Sequence, residues 1–304
     1  MRRSTLVIHA LLAALVGAPA AARAVVDVVT TTEGLAAVAR EVGGDKVKVT
    51  ALSRGVQDPH FVDPNPSLAV KLRNADLLVD VGLDLEVGWL PPLVTQSRNG
   101  AIQPGGPRRL TAASAVPVMD LPTGPVDRSQ GHIHPMGNPH FMSDPRRVPL
   151  VAAAIAARLA ELDPANSAQY QARLAAFRAK VETAAATWKT RLAPYAGRSL
   201  VTEHKTLTYL LDWAGLRAAG YLEPKPGVPP PPSHIASLAA VVKADGVKGV
   251  ALENYYDRRP AEQLRELTGV TVILLPGDVG GSREATDWVS WLDVLVKSLV
   301  QAVQ

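Results

Sequence analysis

Short apolar runs alternate with helical stretches along most of the chain, and this alternation constrains the fold more than any other feature. The runs at 47–52, 77–81 and 247–252 have the length of buried strands, and the segments between them carry the apolar periodicity of helices. Strands that alternate with helices indicate right-handed βαβ units around a mostly parallel sheet. The sequence therefore predicts an α/β fold, and the 280 residues that follow the first 24 of 304 favour two domains of ordinary size.

A long helical segment divides this pattern into two halves. Its larger apolar residues fall on one stripe of a helix at 163–192, and they are Tyr170, Leu174, Phe177, Val181 and Trp188. About 28 residues at 1.5 Å each span roughly 40 Å, which is longer than a small domain is wide. We therefore predict two α/β lobes with mostly parallel sheets, at 25–162 and 195–304, joined by one long rigid helix at 163–194.

Two finer expectations concern the first half. The segment 67–74 has the pattern of a helix, and Ser67 has the right side chain for its N-cap. The segment 91–125 is rich in proline and glycine, and we expect it to be less regular.

The first 24 residues have the order of a secretory signal peptide. A basic start at Arg2 and Arg3 precedes an apolar run at 6–17 and the small-x-small sequence Ala22-Arg23-Ala24. The apolar run is too short to cross a bilayer, which needs about 20 residues. We expect export to the periplasm with cleavage after about Ala24, and the alternative is a buried N-terminal helix.

Charge and cysteine content exclude several kinds of partner. The chain has 32 basic and 28 acidic residues, and loss of the three arginines of the leader leaves 29 against 28. No basic cluster stands elsewhere, so we expect no nucleic-acid partner. The absence of cysteine excludes disulfides, thiolate metal sites and a lipid anchor on cysteine. We expect a soluble monomer.

Three histidines occupy equivalent places in the predicted architecture. His60 follows the strand at 47–52, His204 follows the strand at 199–202, and His140 stands shortly before a predicted helix. Ligands of open α/β sheets bind beyond the carboxyl ends of the strands. His60 and His140 each follow a proline, which stiffens the loop that presents the imidazole. We expect the three loops to meet in a cleft and to bind a transition metal there.

The histidine loops carry sequence motifs. They read Asp58-Pro59-His60-Phe61-Val62-Asp63-Pro64, Asn138-Pro139-His140-Phe141 and His204-Lys205, the last with Trp213-Ala214-Gly215-Leu216 downstream. These motifs resemble the metal-ligand motifs of the zinc/manganese-binding substrate-binding proteins of ABC transporters, the TroA/ZnuA-like family. The resemblance runs from about Val25 to the C-terminus. It implies two α/β lobes joined by a rigid helix, one metal between them, and delivery to a membrane-embedded ABC transporter permease.

The resemblance also implies a ligand set. Its first three members are His60, His140 and His204. Asp278 is the candidate for the fourth ligand, and the alternative is an ordinary aspartate in a glycine-rich turn. Glu253 is an alternative ligand. Glu253 or Glu203 could instead hydrogen-bond a ligating imidazole, as metal-bound histidines normally require.

Two further histidines, His132 and His134, lie just before the second motif. They either assist metal capture or belong to a solvated loop. Three imidazoles with a carboxylate or a water suit tetrahedral zinc, so we predict Zn(2+), with Mn(2+) or Fe(2+) as alternatives.

The rival hypothesis is an exported zinc-dependent hydrolase, because three histidines with an open fourth position also describe a catalytic zinc. Such an enzyme should show a signature such as H-E-x-x-H, which the sequence lacks. We therefore predict a metal-binding protein and not an enzyme.

Overall fold

A computed structural model describes residues 25–122, 124, 134–225 and 227–304. The predicted leader at 1–24 and the candidate capture residue His132 lie outside the described residues. None of the described helices is long and apolar enough to cross a membrane.

Two four-stranded parallel sheets form the frame of the molecule. The first contains β1 (Val26–Thr30), β2 (Val47–Ala51), β3 (Leu77–Asp80) and β4 (Arg109–Thr111), in the order β2-β1-β3-β4. The second contains β5 (Ser199–Thr202), β6 (Arg217–Tyr221), β7 (Gly249–Glu253) and β8 (Thr271–Leu275), in the order β6-β5-β7-β8. The predicted two-lobe α/β fold with parallel sheets is confirmed, and the lobes share one strand order.

Helices flank both sheets. The first lobe carries α1 (Glu33–Gly43), α2 (Pro66–Arg73), α3 (Leu90–Ser97) and α4 (Val148–Leu162). The second carries α6 (Thr208–Ala214), α7 (Pro232–Asp245), α8 (Arg259–Thr268) and α9 (Trp288–Val303). Between them, α5 (Ser167–Leu192) is a helix of 26 residues.

The long helix α5 belongs to the cores of both lobes. All five residues of its predicted apolar stripe are buried. Trp188 stacks edge-on against Trp288 of α9, with ring centroids 6.3 Å apart, and its indole N–H donates to Asp293. One continuous hydrophobic cluster runs from Val26 of β1 through this helix to α9. Because burial of a large aromatic side chain contributes several kcal/mol, the helix holds the lobes together by packing as well as by connection.

One finer expectation is corrected and another is qualified. The N-cap of α2 is Asn65, whose side chain accepts a hydrogen bond from the Ser67 N–H, and Pro66 stands in the first turn. The described part of the segment 91–125 is less regular, as expected, but it also contains α3 and the short strand β4. Pro91 and Pro92 mislead the sequence interpretation, because they occupy the first turn of α3, where the missing N–H would have no helical partner.

Candidate metal site

The three predicted histidines meet between the lobes. One ring nitrogen from each of His60, His140 and His204 lies within 4.8 Å of the other two. Their ring centroids are 5.2 Å apart for His60 and His140, 5.3 Å for His140 and His204, and 5.6 Å for His60 and His204. Each comes from a loop, and the parallel sheets direct those loops toward one cleft.

His60 and His140 are held by the same local device. Asp58 Oδ1 accepts the backbone N–H of His60 at 2.9 Å and lies 2.7 Å from its Nδ1. Asn138 Oδ1 accepts the backbone N–H of His140 at 2.9 Å and lies 2.8 Å from its Nδ1. In each loop the residue two positions before the histidine clamps both its backbone and its ring, and the proline between them limits the backbone conformations.

The clamps fix the tautomers of both rings. The Asp58 carboxylate only accepts hydrogen bonds, and Asn138 presents the oxygen that already accepts a backbone N–H. These partners require a proton on Nδ1 of both His60 and His140. That assignment leaves the lone pair on Nε2, which is the form of imidazole that binds a metal.

The contact that orients His204 comes from a residue distant in the sequence. The Tyr256 hydroxyl lies 3.0 Å from His204 Nδ1, and a carboxylate oxygen of Glu223 lies 3.8 Å from it. Tyr256 follows β7, which pairs with the strand that precedes His204. The oxygens nearest the three ligand rings therefore come from Asp58, Asn138 and Tyr256, and we find no hydrogen bond from Glu203 or Glu253 to a histidine in the described part of the chain.

Burial keeps His140 and His204 in their neutral form. Desolvation, with a smaller contribution from His60, lowers the pKa of His140 well below its usual value of 6.5. The same causes lower the pKa of His204 to about 3. Both rings are therefore neutral at the pH values at which the protein would meet its substrate, and no proton needs to leave them before a metal binds.

Buried acidic side chains surround the histidines. Burial first, and then Glu223 and Glu253, raise the pKa of Glu203 to about 8. Burial raises the pKa of Glu253 to about 7. Oε2 of Glu203 has no hydrogen-bond partner among the described residues. A divalent cation nearby would favour the charged form of these carboxyl groups and so lower their pKa values again.

The candidate fourth ligand, Asp278, lies on a wall of the cavity that also contains His140 and Glu253. Its carboxylate accepts hydrogen bonds from the backbone N–H groups of Gly34 and Val279, each at 2.8 Å. Gly34 is in the first turn of α1, so Asp278 crosses between the lobes to the positive end of that helix. It does not join the group of three converging nitrogens, and its role as a ligand stays a prediction.

A fourth imidazole stands beside the site. His134 Nε2 lies 3.3 Å from His60 Nε2, and the ring centroids of His134 and His140 are 5.8 Å apart. The sequence analysis gave His134 only as a residue that either assists metal capture or belongs to a solvated loop. The positioning residues Asp58 and Asn138 were missed, although an Asp or Asn stands two residues before the histidine, directly before the proline, in both loops.

Comparisons with known proteins agree with this geometry. The family described as ZnuA, the periplasmic component A of a zinc-uptake complex, matches residues 28–302. The chain belongs to this family of substrate-binding proteins of metal ABC transporters, which confirms the predicted resemblance. Members of the family are transport proteins and not enzymes, as predicted.

Individual relatives are distant. The iron-binding protein YfeA of Yersinia pestis is 25% identical over 248 residues, which are 80% of this chain and 74% of that protein. The zinc-binding lipoprotein AdcA of Streptococcus pneumoniae is 22% identical over 280 residues, which are 90% of this chain and 54% of AdcA. A solved structure of a ZnuA deletion variant with zinc bound superposes with a TM-score of 0.77 at 25% identity, covering 92% of this chain and 98% of that one.

The relatives establish the class of substrate and leave the particular metal open. One relative is named as iron-binding and another as zinc-binding, so together they indicate a divalent metal and do not decide which one. Membership of the family implies a permease as partner. The expectation that the chain carries no lipid anchor gains no support, because several relatives are named as lipoproteins.

Proposed function

We propose that this chain captures Zn(2+), in preference to Mn(2+) or Fe(2+), in the periplasm and delivers it to an ABC transporter permease. The metal would bind the Nε2 atoms of His60, His140 and His204. The observation that carries the proposal is His140 Nε2, a buried nitrogen that has no hydrogen-bond partner among the described residues. A buried polar atom without a partner costs free energy, and a metal ion at this point would supply the partner.

The preference for zinc rests on the chemistry of the donors. Three neutral imidazole nitrogens suit tetrahedral zinc, whereas manganese prefers sites with more oxygen ligands. Asp278 and Glu253 stay the predicted carboxylate candidates for the fourth position. For Asp278 to bind, its carboxylate would have to leave the N–H groups of Gly34 and Val279.

The test is metal analysis of the mature protein and its variants. We expect about one zinc per chain in the wild type, and loss of tight binding in His60→Ala, His140→Ala and His204→Ala. His234→Ala is the matched control, because the His234 ring faces the Tyr221 carbonyl at 2.9 Å and stands outside the converging group. Zinc near one per chain in both His60→Ala and His140→Ala would overturn the site.

Two further proposals concern the cleavage site of the leader and the number of chains in the mature protein. We infer cleavage after about Ala24 and a monomeric mature protein. N-terminal sequencing of the protein recovered from a periplasmic fraction, together with its mass in solution, tests both. A start far from Val25 would contradict the cleavage site, and a mass of two chains would contradict the monomer.

A further inference from the structure

Both the ring and the backbone of His134 make hydrogen bonds to neighbouring loops. Its Nδ1 lies 2.9 Å from the carbonyl oxygen of Leu83, and its own carbonyl accepts a hydrogen bond from the Gly137 N–H at 3.0 Å. That turn leads directly into Asn138, whose side-chain amide donates to Asp120 and to the Lys205 carbonyl. The backbone and the ring of His134 are therefore both attached to the loops that form the site.

The carbonyl that holds His134 is itself well supported. Leu83 lies in a tight loop after β3, with a positive φ of 54°. The buried Glu86 carboxylate fixes this loop, because it accepts hydrogen bonds from the N–H groups of Val81 at 2.7 Å and Gly82 at 3.1 Å. A carbonyl oxygen only accepts, so Nδ1 of His134 carries the proton and Nε2 carries the lone pair.

Two lone pairs therefore face each other. His60 Nδ1 donates to Asp58 and His134 Nδ1 donates to Leu83, and the two Nε2 atoms are 3.3 Å apart. Two acceptors at this distance repel unless a positive charge lies between or beside them. A tetrahedral zinc with Zn–N distances of about 2.0–2.1 Å places neighbouring nitrogens about 3.3–3.4 Å apart. The observed separation matches one edge of that tetrahedron. His134 stands outside the group of three nitrogens that lie within 4.8 Å of one another, so its ring would have to move toward His140 and His204 as the metal binds.

We propose that His134 is the fourth ligand, so that the site is a shell of four imidazoles which selects zinc and similar nitrogen-preferring metals against manganese. This inference rests on the proposed function, since it completes the same site. It explains why the Asp278 carboxylate can stay bonded to Gly34 and Val279. A site without a carboxylate ligand also lacks the oxygen donors that manganese prefers.

The first experiment compares zinc affinity, by chelator competition, in the mature wild type and in His134→Ala, Asp278→Asn and His132→Ala. We expect His134→Ala to weaken zinc binding by at least about 10–100-fold, since loss of an outer partner of a ligand alone costs that much. His132→Ala, the control from the same loop, should bind like the wild type. Wild-type affinity in His134→Ala with weakened binding in Asp278→Asn would overturn the inference.

The second experiment uses Co(2+) as a spectroscopic probe and Mn(2+) as the competitor. We expect the visible absorption of tetrahedral cobalt to change in His134→Ala, and His134→Asp to raise the affinity for manganese relative to zinc. An unchanged cobalt spectrum in His134→Ala would overturn the inference even if that variant were less stable. Zinc near one per chain in both His60→Ala and His140→Ala would defeat the proposed metal site itself, whereas zinc lost in those variants and kept in His134→Ala defeats only the role of His134.

Discussion

The two lobes position their histidines in different ways. In the first lobe, His60 and His140 are clamped by Asp58 and Asn138, each only two residues away. In the second lobe, His204 depends on Tyr256, which lies 52 residues further along the chain. The local clamps form wherever their loops take the right backbone conformation. The distant contact forms only after β5 and β7 have paired, so His204 is the ligand whose orientation depends on the complete tertiary fold.

The largest effect is expected for a buried carboxyl group of the first lobe, that of Glu86. Burial, followed by the charge of Asp80, raises the pKa of Glu86 from 4.5 to about 7. Between pH 4.5 and 7 the folded state then binds more protons than the unfolded state, so the free energy of unfolding decreases as the pH rises, by up to about 3 kcal/mol. We expect Glu86→Gln to reduce this pH dependence, while Glu203 and Glu253, whose pKa values are also raised, keep their own contributions. Urea unfolding of the metal-free protein at pH 5 and pH 8 measures the difference. An identical pH dependence in both proteins would contradict the assignment.

Loss of a local clamp should come next. We expect Asp58→Ala to weaken zinc binding by about 10–100-fold, because the His60 ring loses the partner that fixes its tautomer and orientation. Asn138→Ala should lower the affinity by a similar factor. It should also lower the melting temperature, since Asn138 additionally bonds Asp120 and the Lys205 carbonyl. Calorimetric titration with zinc gives the affinities, and wild-type affinity in both variants would show that the clamps do not position the ligands.

Loss of the distant contact should cost less. Tyr256→Phe removes one hydroxyl beside His204 and leaves the ring buried, so we expect an affinity loss of about 2–10-fold, the range of a single hydrogen bond. Tyr195→Phe is the matched control, because the Tyr195 hydroxyl accepts a hydrogen bond from the Gln304 side chain and does not contact a histidine of the site. A loss in Tyr256→Phe as large as in Asp58→Ala would show that the distant contact is as important as the local clamp.

The smallest effect is expected for Asp58→Asn, because the other loop already uses an asparagine in the same position. Asn138 shows that an amide oxygen can hold a ligand histidine, so Asp58→Asn should keep the clamp and lose only the charge. Because charge-assisted hydrogen bonds are roughly twice as strong as neutral ones, we expect a decrease in zinc affinity of about fivefold or less. An effect equal to that of Asp58→Ala would mean that the negative charge, and not the geometry, is what His60 requires.

Prediction from sequence succeeded where the signal was local or periodic. The buried stripe of α5 and the parallel sheets follow from apolar spacing, which reports directly on which face of an element is covered. It failed at Pro91 and Pro92, because proline ends most helices but is tolerated in the first turn. Sequence interpretation also missed the hydrogen bond between Asp278 and Gly34. Nothing near Asp278 in the sequence indicates that Gly34, in the other lobe, lies beside it.

By itself, then, the sequence determined the two α/β lobes, the long helix between them and the three histidine loops. Each of these depends on residues close together in the chain, where backbone preference and apolar period carry the information. Only the tertiary structure decided that Tyr256 holds His204, that His134 stands 3.3 Å from His60, and that Asp278 bonds Gly34. Those contacts join residues 52, 74 and 244 positions apart. Contacts of that kind arise from strand pairing and from the packing of the two lobes around α5, which no local pattern encodes.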